Sequence, residues 1–138
     1  MPPKLSPDIE AIFSGYPQRA QHTLMCVRNL IFTLADEQKL GPVTESVKWG
    51  EASFAVKSGT PIRLDWKAEA PDEVVIFFHC QTHLIATFRE VYPDDFVYSG
   101  NRAMSFALNQ GAAHSPLAHC LSVALNYQRV KQLPLLGM

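Results

Sequence analysis

This chain has no surplus of either charge. Twelve Lys and Arg stand against thirteen Asp and Glu, for a formal net charge of −1, with acids and bases interspersed. That removes the electrostatic footprint by which nucleic acid or an anionic membrane is bound. Long hydrophobic runs are also missing, so no segment is expected to span a bilayer. The opening Met1-Pro2-Pro3-Lys4-Leu5-Ser6-Pro7 lacks an apolar core segment, and no secretory signal is expected there. Cysteine is scarce: Cys26, Cys80 and Cys120 are odd in number, widely spaced and without a Cys-x-x-Cys pair. Reduced thiols in a cytoplasm follow, each expected as a small buried apolar side chain. There is no Gly-x-Gly-x-x-Gly, no Walker loop and no Gly-x-Ser-x-Gly elbow.

What remains is an ordinary globular composition, 47% hydrophobic and 18% charged over 138 residues. That is enough for one domain, residues 1–138, with a core that needs no disulfide or metal. After a Pro-rich lead-in, Ser6 or Asp8 caps a short helix to about Phe13. Residues 17–38 carry the clearest helical signal, with Ala20, Leu24, Val27, Ile31 and Leu34 as one apolar stripe and Arg28 away from it. Ser46–Val56 reads as one strand with Gly50 in its middle, a bulge or a close backbone approach. Ile62, Leu64 and Trp66 alternate with Arg63, Asp65 and Lys67, and Glu73–Cys80 reads as a central strand. Thr82–Val91 resembles a helix. Phe96–Tyr98 and Arg102–Leu108 form a hairpin around Ser99-Gly100-Asn101. Ser115 and Pro116 open a last helix to about Lys131. Helices and strands are segregated, which predicts an α+β domain: an antiparallel sheet of about five strands with the long helices on one face.

Three segments carry a resemblance. Val47-Lys48-Trp49-Gly50 follows a long helix, Tyr98-Ser99-Gly100-Asn101-Arg102-Ala103 forms a hairpin, and Ala124-Leu125-Asn126-Tyr127-Gln128-Arg129-Val130-Lys131-Gln132-Leu133-Pro134 closes the chain. Together they resemble the YdhG-like domains of unknown function (DUF1801 family), over residues 16–136. The resemblance implies an α+β fold with helices backing an antiparallel sheet. One branch of that family is described as frataxin-like, an iron chaperone for iron–sulfur assembly, which relies on acidic side chains along a helix and strand edge. This chain departs from that pattern. Its long helix has only Asp36 and Glu37, at its end, and its closing helix has no acid between Ser115 and Lys131.

Among candidate chemistries, His79, Cys80 and His83, with His114, His119 and Cys120 further on, are the clusters of soft metal ligands. Their spacing does not by itself bring three or four groups to one point, and the two remote pairs could meet only through tertiary folding. Neighbours in a strand face opposite ways, so His79 and Cys80 are poor partners for nucleophilic catalysis. Asp72-Glu73 and Asp94-Asp95 sit beside prolines as solvated turns. The strongest combination is basic and aromatic. Lys48, Arg63, Lys67 and Arg102 lie on predicted strands near Trp49, Trp66, Tyr98 and Phe106. If the sheet face away from the helices is open, Lys48, Trp49, Gly50, Arg63, Tyr98 and Arg102 would form a shallow site for a small anion or an acidic partner. The expected function is therefore a non-enzymatic cytoplasmic binding module with no cofactor. The alternative is an iron chaperone using His79, Cys80 and His83. Exposed aromatic strands would also suit a homodimer.

Overall fold

The computed structural model describes residues 2–112 and 114–138. Helix α1 (Pro7–Ser14) starts where the Ser6 hydroxyl accepts from the Ile9 N–H. Gly15 and Pro17 break the chain before α2 (Gln18–Glu37). The α2 stripe is buried as expected through Ala20, Leu24, Val27 and Ile31, but its last member is Ala35, and Leu34 lies half-buried. Arg28, expected on the outer side, is 1% exposed. Its guanidinium pairs with Glu45 of the first strand and donates to the Pro3 carbonyl at 2.8 Å. A buried charge is tolerated only when paired in this way.

Among the described residues, six strands form one antiparallel sheet in the order β1-β2-β3-β4-β6-β5. They are β1 (Thr44–Lys48), β2 (Glu51–Ala55), β3 (Ile62–Asp65), β4 (Glu73–Phe77), β5 (Val97–Ser99) and β6 (Ala103–Ala107). The sixth strand comes from the segment read as one. Ser46–Val56 is a hairpin, with Lys48 paired to Glu51 and only Trp49 and Gly50 between them. Both have positive φ, 54° and 76°, as a two-residue connection matched to strand twist requires. The central strand ends at Phe77, so His79 and Cys80 lie beyond it.

Helix α3 (Leu84–Val91) carries the chain across to the far edge, where β5 turns back into β6 beside β4. The closing helix is broken at Asn126 into α4 (Ser115–Leu125) and α5 (Tyr127–Val130). The register sets the faces. Val47, Ala52, Leu64, Ile76, Met104 and Tyr98 stand in one row toward the helices. Ser46, Ser53, Arg63, Phe77, Ala103 and Ser99 form the adjacent row on the other face. The core lies between the first face and the helices, with Phe54, Phe78, Phe88, Leu24 and Leu121 fully buried.

One loop fixes sheet to helix. Thr60 N–H donates to the Ala124 carbonyl at 3.1 Å, and the Ser58 hydroxyl donates to the Leu125 carbonyl at 2.8 Å. The β2–β3 turn thus satisfies carbonyls left over at the end of α4. Gly59 is required there, because a Cβ would stand 2.6 Å from the Ala124 carbonyl oxygen. Among the described residues, no helix is long and apolar enough to cross a membrane.

Candidate functional site

The face away from the helices holds a groove of about 750 Å³. Its floor is Phe77, half-buried at the end of β4. The Arg63 guanidinium carbon lies 5.6 Å from the centre of that ring and the Lys67 ammonium 5.7 Å. Both are within the range in which the face of an aromatic ring attracts a cation. Lys48 and Trp49 line the groove from the β1–β2 turn, and Arg102 from the β5–β6 turn. Pro61, His79 and Cys80 line it as well.

Two carboxylates stand among these cations. Glu51 approaches Arg63 at 3.7 Å, and Asp65 approaches Lys67 at 3.3 Å. Asp65 is well anchored: it accepts from the Tyr16 hydroxyl at 3.0 Å and from the Trp66 N–H at 2.8 Å. Burial and Asp65 together raise the pKa of the Tyr16 hydroxyl. Glu51 is held less firmly. Burial first, and the neighbouring Asp65 carboxylate second, raise its pKa above the ordinary glutamate value, against the pull of Arg63 and Lys67.

Trp49 is the outlying feature. It is 90% exposed, and its φ of 54° is a conformation that a bulky side chain rarely adopts. Two-residue hairpin turns favour Asn, Asp or Gly at this position.

No family model, curated protein or solved structure matches this chain.

Of the residues expected from sequence, Lys48, Trp49, Arg63 and Arg102 line the groove. Gly50 shapes the two-residue turn with its positive φ, and the hairpin carries no bulge there. Tyr98 does not join them. It pairs with Met104 in the helix-facing row, and its hydroxyl donates to the Phe88 and Tyr92 carbonyls at 2.9 and 2.7 Å. Phe106 is likewise buried on the helix side, and Trp66 is held off the groove by its indole N–H on the Pro71 carbonyl. Phe77 and Glu51 line the groove without a site signal in the sequence. Phe77 stands two residues after Val75 in an apolar run, and period-two alternation puts it across from Arg63.

The soft-ligand cluster does not converge. His79 and Cys80 border the groove, and His83 lines a different hollow beside Lys131 and Leu135. The Nδ1 of His79 accepts from the Gln81 N–H at 3.0 Å. His119 is hydrogen-bonded through Nδ1 to the Tyr92 hydroxyl at 2.6 Å. Among the described residues, no three of His, Cys, Asp and Glu group closely enough to hold a metal ion. Cys120 is buried as expected, with its thiol pushed up to about 12 by burial, whereas Cys80 is exposed.

Proposed function

We propose that this chain is a non-enzymatic binding module for a small anionic ligand, held in the open groove of its sheet. The observation that carries the reading is the convergence of Lys48, Arg63, Lys67 and Arg102 from three chain segments on one groove with an aromatic floor. A concave site with a few convergent charges is the usual form of a small-molecule pocket. Membership of the YdhG-like family belongs to the same proposal and rests on the three segments that carry the resemblance. A cytoplasmic location also belongs to it, supported by three free thiols. The iron-chaperone alternative lacks comparable support, since His83 lies away from His79 and Cys80. A homodimer is a second reading, favoured by Val47 and Val97 exposed on the two edge strands. Light scattering across a dilution series would decide it.

The test is a thermal-shift comparison of phosphate, sulfate and citrate with Fe(II) and Zn(II) on the reduced protein. An anion at about a hundred times its dissociation constant adds about 2.7 kcal/mol to the native state. The expected result is stabilisation by anions that disappears in Arg63→Ala and Arg102→Ala. A response to metals alone would return the chain to the iron-chaperone reading.

A further inference from the structure

The groove's anion reading leaves one feature without a purpose, the ring of Trp49. A tryptophan in the left-handed region, 90% exposed, contributes little to the core and disfavours its own turn. Backbone strain of this kind clusters at functional sites such as ligand clamps. The ring borders the same groove as the cations. An indole face offered to solvent beside positive charge suits a flat ring that carries negative charge.

The charges narrow the class further. The four cations stand against two carboxylates, Glu51 and Asp65, which leaves an excess of two positive charges. That matches a phosphomonoester dianion better than the single charge of a diester. Arg63 suits the role, because its planar fork addresses two phosphate oxygens at once. Its present partner, Glu51, at 3.7 Å, stands beyond hydrogen-bonding distance. Arg102 has no ion pair among the described residues and extends from the turn at the opposite side of the groove from Trp49. A groove of about 750 Å³ falls within the span of small-molecule sites.

We infer that the groove takes a flat heteroaromatic ring bearing a phosphomonoester, the chemistry of a nucleoside 5′-monophosphate, with Trp49 stacked on the ring and Arg63 and Arg102 on the dianion. This rests on the anion-binding reading and names its ligand class.

The experiment is calorimetric titration of the unaltered chain with adenosine, guanosine and uridine 5′-monophosphates. The reference titrations use adenosine, inorganic phosphate and adenosine 3′,5′-cyclic monophosphate, which keeps the ring but has a singly charged diester. At least one monophosphate should bind about tenfold tighter than all three references, the gain expected of one base stacked on an aromatic ring. In a Trp66→Phe background Trp49 is the only tryptophan, and its emission should be quenched by the same ligand. Trp49→Asn should abolish the preference with a melting temperature no lower than the parent's, because Asn suits this turn. Phosphate binding as tightly as every monophosphate would overturn the ligand class and leave the anion reading standing. Cyclic ester or adenosine binding equally well would overturn the dianion assignment. Binding of no probe would overturn both readings, and a preference that survives Trp49→Asn would remove Trp49 from the site.

Discussion

Two arginines of this protein each meet a glutamate, one on either face of the same sheet. On the helix side, Arg28 reaches down from α2 to Glu45 on β1, with the guanidinium buried, the carboxylate mostly covered and a second acceptor at Pro3. On the open side, Arg63 on β3 leans toward Glu51 on β2 at 3.7 Å, over the ring of Phe77. The first pair has no freedom: its charges are buried and each depends on the other. The second is loose and partly solvated, so it is worth little to folding and is available to a ligand. The glycine turns at the two ends of β2 divide in the same way. Gly59 is packed against the end of α4, and a Cβ at Gly50 would meet nothing within 4 Å.

Breaking the covered pair gives the largest expected effect. Arg28→Met strands Glu45 against the core and should cost about 3 kcal/mol in denaturant unfolding. A loss below about 1 kcal/mol would put this pair in the same class as a surface one and collapse the distinction between faces. Gly59→Ala comes next. The added methyl has backbone on every near side, and about 2 kcal/mol of stability should be lost. Retention of the parent's melting temperature would mean that the turn lifts freely off α4. Arg63→Ala should change stability by less than about 1 kcal/mol while removing the anion-dependent rise in melting temperature. Trp49→Asn should stabilise the hairpin by about 0.5 kcal/mol, since Asn tolerates positive φ and Trp does not. A destabilised Trp49→Asn would show that the indole packs on the groove to support the fold.

The two faces were not equally legible in the sequence. The core face announces itself through periodicity, in the α2 stripe and in the alternation of Ile62 and Leu64 with Arg63 and Asp65. Of the basic residues on the open face, Arg63 and Lys67 can be gathered from that alternation, whereas Lys48 and Arg102 stand beside turns outside it. Trp49-Gly50 lacks the Asn-Gly or Asp-Gly signature of a two-residue hairpin, so the segment reads as one strand where there are two. Tyr98 reads as a groove residue because a three-residue edge strand is too short for its alternation to show. Its partner Met104, read in register, places it with the core. Arg28 reads as a surface residue because its partner lies 17 residues away on another element. Phe77 was hidden in an apolar run with no polar alternation to mark its outward side.

The faces should also differ in the sign of their pH dependence, which is the finest test of the comparison. His114 lies on the helix side between the rings of Phe96 and Phe106, 5.5 Å from each. Among the described residues neither of its ring nitrogens has a hydrogen-bond partner. Burial lowers its pKa from 6.5, only partly offset by Asp95, so the fold favours the neutral ring. Its contribution is complete above pH 6.5 and is lost as pH falls toward the lowered value. Glu51 on the open face runs the other way. Its pKa is raised from 4.5, so the fold favours the protonated acid, and the contribution present below that value is lost as pH rises through the raised one. Melting temperatures of Glu51→Gln and the parent should therefore separate near neutral pH, with the variant higher, and converge below pH 4.5. His114→Phe should flatten the parent's decline below pH 6.5 and leave the neutral range unchanged. If Glu51→Gln is instead the less stable protein at pH 7, the Arg63–Glu51 contact is a structural pair like Arg28–Glu45. The open face would then hold one cation fewer for a ligand than the geometry assigns to it.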